Sequence, residues 1–319
     1  MESGQAGKIG PLEIFFRKPL GGIVYLLWVM FVAIFMIILI GQGVIGSYFE
    51  YCLLVLGDKA EAAGDFLWGS VFWSGSVYAS FVGIWIIGIL ILAIFPWNRF
   101  ILKKTGPGGG NNLPMLLKGA GWGMGLNLFC AVVGILHGDI ILSFNRFDLL
   151  PVLVLFLLVA VQSSAEELVF RSYLLRKISV RYPMQIVAAV LNALLFLSIH
   201  MGNPGVSFLG LMNIFLVGIM TSMIVVCEDS FFWVAGFHTT WNFMQAFILG
   251  LPNSGLVASY SIFKLDAASA RNSFAYDTAF GIEGTVTSTI VLAVFIVFLF
   301  WKFRKEGKLA FSLKHDAQI

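Results

Sequence analysis

A chain of 319 residues that is 59% hydrophobic and only 12% charged is too apolar for a soluble domain and has to cross a membrane several times. Its mean hydropathy of +0.92 says the same. The formal net charge of +3 is small, no nucleic-acid partner is expected, and the scattered Cys52, Cys130 and Cys227 argue against a disulfide framework or a thiolate zinc site.

The first 19 residues carry Glu2, Lys8, Glu13, Arg17 and Lys18 and lead into an apolar run with no cleavage site, so that run reads as a retained helix. Eight apolar runs of near-spanning length follow one another, at about 20–41, 67–95, 118–136, 149–170, 184–200, 206–227, 231–250 and 285–303. The glycine-rich stretch 106–112 between the second and third reads as a flexible linker. With the N-terminus inside, 16 of the 20 Lys and Arg fall on cytoplasmic segments, and only Lys59, Arg146, Lys264 and Arg271 fall outside. The expected architecture is an all-α polytopic membrane bundle of about eight transmembrane helices, both termini cytoplasmic, with no separate soluble domain.

The fourth run ends in Ser163-Ser164-Ala165-Glu166-Glu167-Leu168-Val169-Phe170-Arg171. Two carboxylates and a guanidinium are costly in lipid, so they should face the protein interior. On a helix, Glu167 and Arg171 stand four apart with the acid first, the favourable order for an ion pair. Glu166 is rotated about 100° from Glu167 and lacks that relation, which leaves it free for chemistry. On the fifth run Asn192, Phe196 and His200 share one face, and on the seventh His238 and Asn242 are again four apart, with Gly236 leaving room nearby. The sixth carries Asn213, which needs a partner in lipid, and the segment before the last run holds a glycine-flanked acid, Phe280-Gly281-Ile282-Glu283-Gly284.

One intramembrane histidine usually serves as an interhelical hydrogen-bonding group. Two of them, with a glutamate on a third helix, point further. Glu166, His200 and His238 form a ligand set for Zn2+ with one position open for water. The same residues would also work without metal, with Glu166 as general base on water and His and Asn donors at the oxyanion. No HExxH occurs, so the usual zincin arrangement is excluded.

Glu166-Glu167-x-x-x-Arg171, Phe196-x-x-x-His200 and His238-x-x-x-Asn242 occur in that order on successive apolar segments. Together they resemble the three signature motifs of the CPBP family, which contains the CAAX prenyl proteases and the bacterial Abi proteins. The resemblance covers about residues 149–245. It implies an all-helical intramembrane endopeptidase in which Glu166 activates water, His200, His238 and Asn242 complete the site, and Glu167, Arg171 and Phe196 support it. With the core placed there, the apolar runs divide the chain into three N-terminal spans (1–148), a catalytic core (149–250), and an external loop, last span and basic tail (251–319). The implied partners are a peptide or membrane-protein substrate and the lipid bilayer. Compact loops and the lack of an organelle-targeting sequence fit a bacterial plasma membrane. The expectation leans to the metal-dependent form with Zn2+ on Glu166, His200 and His238, although an Asn242 amide is a better donor than zinc ligand.

Two other readings stay open at this level. A non-enzymatic relative would bind a peptide or a membrane partner in the same cavity. A proton-coupled transporter would use Glu166 and His238 as a relay, but it predicts an internal symmetry the sequence lacks. The peptidase reading also carries a geometric demand. If the fourth helix stopped at Arg171, Glu166 and His200 would lie at opposite membrane faces. The helix should therefore run on towards Arg176 and Lys177, and the fifth should start deep or tilt.

Overall fold

The computed structural model describes residues 19–182 and 184–309, so the expectations resting on Lys8, Arg17, Lys18 and Lys314 lie outside the described residues. The chain is an integral, multi-pass helical protein. Its principal helices are α1 (Gly21–Ala62), α2 (Phe66–Ile94), the short α3 (Arg99–Thr105), α4 (Leu113–His137), α5 (Leu149–Arg181), α6 (Gln185–His200), α7 (Phe208–Glu228), α8 (Phe231–Phe243) and α9 (Val286–Lys305). One departure from all-α is a two-stranded antiparallel ribbon, β1 (Leu142–Phe144) with β2 (Phe263–Leu265), which ties the segment before α5 to the segment after α8.

All eight apolar runs fall on helices, yet among the described residues six helices, not eight, are long and apolar enough to span a membrane. The two that fall short carry the histidines. Helix α6 has 16 residues, roughly 24 Å, against a hydrocarbon core of about 30 Å. Helix α8, with a π-turn Met244–Ile248 continuing it, holds His238, Thr239, Thr240, Asn242 and Gln245. It is buried along most of its length, packed on α4 and α5.

Helix α1 departs most from expectation. Its 42 residues, roughly 63 Å, run well past the predicted end near residue 41. The glycines there let two backbones meet. A Cβ on Gly46 would sit 1.9 Å from the Ser80 carbonyl oxygen, and one on Gly83 would sit 1.8 Å from that of Gly41. Small residues at such crossings are the usual device where lipid offers no hydrophobic drive between helices. Gly236 works the same way, since a Cβ there would lie 2.4 Å from the Leu116 carbonyl oxygen of α4.

Helix α5 does continue beyond Arg171, to Arg181, through a π-helical turn at Leu168–Leu174. π-turns inside α-helices are rare and frequent at functional sites. Here the turn follows directly on Glu167 and buries Arg171 completely.

The expected orientation yields a direct test. Pro107→Cys and Ala267→Cys both fall on exposed loop positions. In a background without the native cysteines, an impermeant maleimide added to intact cells should label position 267 and spare position 107. The reverse pattern would invert the topology.

Candidate active site

The site is built where the C-terminal half of α5 meets α6 and α8. Each motif residue sits where helical spacing put it, and the three helices bring all seven together. Glu167 is fully buried and forms an ion pair with Arg171, Oε2 to Nε 3.2 Å. Arg171 also donates from Nε to Thr221 Oγ1 on α7 at 2.8 Å, and its guanidinium lies 4.1 Å from the Phe196 ring centre. The other carboxylate oxygen of Glu167 accepts from His238 Nδ1 at 2.9 Å. Glu167 therefore couples the arginine to a histidine, a second partner the spacing did not reveal.

Both imidazoles are oriented from behind. His200 Nδ1 donates to the Phe196 carbonyl oxygen at 2.8 Å, and His238 Nδ1 donates to Glu167. These partners assign the tautomers and turn both Nε2 atoms towards the same point. The point is Glu166 Oε2, 3.9 Å from His200 Nε2 and 3.8 Å from His238 Nε2. Phe196 fills the space between them, its ring centre 4.6 Å from that of His200 and 6.4 Å from that of His238.

Glu166 is not free of local partners, as the spacing had suggested. Gln162, one turn earlier on α5, donates from Nε2 to Glu166 Oε1 at 2.6 Å. Asn242 donates from Nδ2 to Gln162 Oε1 at 3.1 Å. The Asn242 amide is thus engaged in orienting the carboxylate through Gln162, where a donor to an oxyanion was expected. Gln162 stands at the end of the apolar run, directly before Ser163 and Ser164, and its position four before Glu166 is the sequence signal for this pair. Asn192 does not reach the site: it donates to Ser222 Oγ at 2.9 Å and joins α6 to α7.

Glu166, both histidines and Asn242 open on a cavity of about 1080 Å3, its mouth included. Its far wall comes from Ile38 and Gln42 on α1 and from Tyr78, Phe81 and Ile84 on and beside α2, residues to which no role had been given. A second, smaller cavity of about 520 Å3, also counted with its opening, lies on the other side of His200, His238 and Asn242. Glu283 borders it. Withdrawal from solvent pushes the Glu283 carboxyl above its ordinary range, opposed by donors from Ser254 and Trp241 and by His238.

The donor types at Glu166, His200 and His238 suit zinc. Ligand atoms about 2.0–2.1 Å from a tetrahedral metal stand about 3.3–3.4 Å apart. The separations of 3.8 and 3.9 Å are wider, and among the described residues no group of three or more His, Cys, Asp and Glu has the spacing of a metal centre. A single water hydrogen-bonded at about 2.8 Å can span such pairs.

Residues 148–244 match the family model described as Type II CAAX prenyl endopeptidase Rce1-like. The matched segment runs from the start of α5 through α8 and contains all seven motif residues. No curated protein and no solved structure matches the chain.

Proposed function

We propose, from the match of residues 148–244 to the Rce1-like family model and from the site's geometry, that this protein is an intramembrane endopeptidase of the CAAX-protease type, hydrolysing a peptide bond with water activated by Glu166. The observation that carries the reading is the convergence of one buried carboxylate oxygen and two oriented imidazole nitrogens, 3.8 and 3.9 Å away, on the wall of a large cavity. A peptide or membrane-protein segment entering from the bilayer would place its carbonyl carbon beside that point. The bacterial plasma membrane, with both termini cytoplasmic, is the setting we assign.

Each step uses a group of this chain. Glu166 Oε2 takes a proton from the attacking water as its oxygen bonds to the carbonyl carbon. His200, with a neutral carbonyl behind it, accepts the water's second hydrogen bond. His238, with the Glu167 carboxylate behind it, has a counter-charge for the imidazolium form and donates from Nε2 to the oxygen that becomes anionic. When the C–N bond breaks, Glu166 returns its proton to the leaving amine, and a carboxylic acid and an amine result, the acid then losing its proton to the amine or to water. Bound zinc would supply Lewis-acid polarisation of the same oxygen, and Glu166, His200 and His238 would be its ligands.

The test is hydrolysis of a quenched CAAX-type peptide, prenylated or not, by purified protein before and after exhaustive chelation. Cleavage that survives chelation without stoichiometric metal supports the glutamate–water route, whereas loss restored by Zn2+ replaces it with the metal-dependent one. No cleavage of any such peptide, with cargo bound in the cavity nonetheless, would leave a binding protein.

A further inference from the structure

Glu283 lies outside the segment that matches the family and 39 residues beyond its end, yet it borders the same histidines. Its position is fixed from two directions. Asn213 on α7 donates from Nδ2 to the carbonyl oxygens of Glu283 at 2.8 Å and Thr285 at 3.0 Å, which is the partner its place in an apolar helix required. Gly281, at φ 76°, brings the turn against residue 252, where a Cβ would stand 2.1 Å from the Pro252 carbonyl oxygen.

From there the carboxylate reaches back to the loop after α8. Oε2 accepts from the Ser254 backbone N–H at 2.7 Å and from Ser254 Oγ at 3.1 Å. Oε1 accepts from Asn253 Nδ2 at 3.3 Å and Trp241 Nε1 at 3.2 Å. Ser254 is one of two described non-glycine residues with positive φ, at 49°, a conformation that persists only where its surroundings hold it. The next link faces the site: Asn253 Nδ2 also lies 3.4 Å from Asn242 Oδ1. Asn242 donates to Gln162 and Gln162 to Glu166. An amide can point either way; this chain of donors and acceptors leaves each one a single direction.

We propose that Glu283 is a positioning residue of the active site, holding Asn253 and Ser254 so that Asn242 and Gln162 fix the orientation of the Glu166 carboxylate. The proposal rests on the endopeptidase reading for its kinetic consequence but not for its structural one. A purely structural staple would cost stability and leave turnover alone. A positioning residue lowers turnover while substrate binding, made in the larger cavity, persists.

The experiment compares full-length wild type, Glu283→Gln, Asn253→Ala and the double variant, with peptide kinetics and hydrogen exchange at the Ser254 amide. The amide introduced by Glu283→Gln puts a donor where Ser254 donates. We expect kcat to fall roughly 10- to 100-fold in each single variant, with KM within about twofold in Glu283→Gln, whose residue does not line the larger cavity as Asn253 does, and the double variant to be no worse in kcat than the lower single. Ser254 exchange should quicken in Glu283→Gln. Full kcat in Glu283→Gln, multiplicative losses in the double variant, or unchanged Ser254 exchange would overturn the proposal. If wild type cleaves nothing, the endopeptidase reading fails, and Ser254 exchange alone still decides whether Glu283 holds the loop.

Discussion

Glu166→Gln should lower peptide hydrolysis by about 10²–10⁴-fold, the range a positioned general base contributes, in protein that stays folded. The substitution keeps the shape of the side chain and an acceptor for Gln162 Nε2, 2.6 Å away in the native site. What it removes is the ability of the atom near both imidazoles to take a proton. It also removes a buried charge whose nearest cation-capable neighbours are only the two histidines, so the melting temperature should hold or rise. The measurement is single-turnover cleavage beside a thermal melt in the same detergent. Wild-type turnover in a well-folded Glu166→Gln protein would sink the catalytic assignment.

That site was legible where helical spacing alone determines which groups meet. Four-residue intervals put Glu167 beside Arg171, Phe196 under His200 and Asn242 over His238, and the structure keeps each pairing. Spacing cannot say what stands opposite on another helix, and so it does not reveal the bonds from His238 to Glu167 and from Asn242 to Gln162, whereas the Gln162–Glu166 pair, four apart on one helix, is within its reach. The expected count of eight crossing helices finds support for six among the described residues, for a related reason. Hydropathy windows register an apolar run at 184–200 and 231–250, but not that the first is a few residues short and the second is sheltered by neighbouring helices. The first apolar run is bounded near residue 41, and the close backbone contacts that Gly41 makes with Gly83 and Gly46 with Ser80 leave no local trace in the sequence. Glu283 was noticed for its glycines and given no role, since its partners Asn253 and Ser254 are about 30 residues away.

Glu167 and Arg171 should behave in the opposite way to Glu166. Both side chains are wholly buried, and each is the other's counter-charge at 3.2 Å. Arg171→Met leaves a buried carboxylate with the His238 donor but no guanidinium, and Glu167→Leu leaves a buried guanidinium with the Thr221 hydroxyl and the Phe170 and Phe196 rings but without its paired carboxylate. Breaking such a pair from one side typically costs about 3–5 kcal/mol, so both single variants should melt far below wild type or fail to accumulate. The double variant Glu167→Leu/Arg171→Met removes both charges together and should regain most of that loss. It should not regain activity. His238 Nδ1 loses the acceptor that sets its tautomer and aims Nε2, and a misaimed oxyanion donor costs about 10²-fold or more. Thermal melts and peptide hydrolysis on the four proteins separate the two roles. A double variant as unstable as the singles would show that the pair is not held by its charges. A double variant that is stable and fully active would mean that His238 needs no carboxylate behind it, and the assignment of donor to His238 would fall with that result.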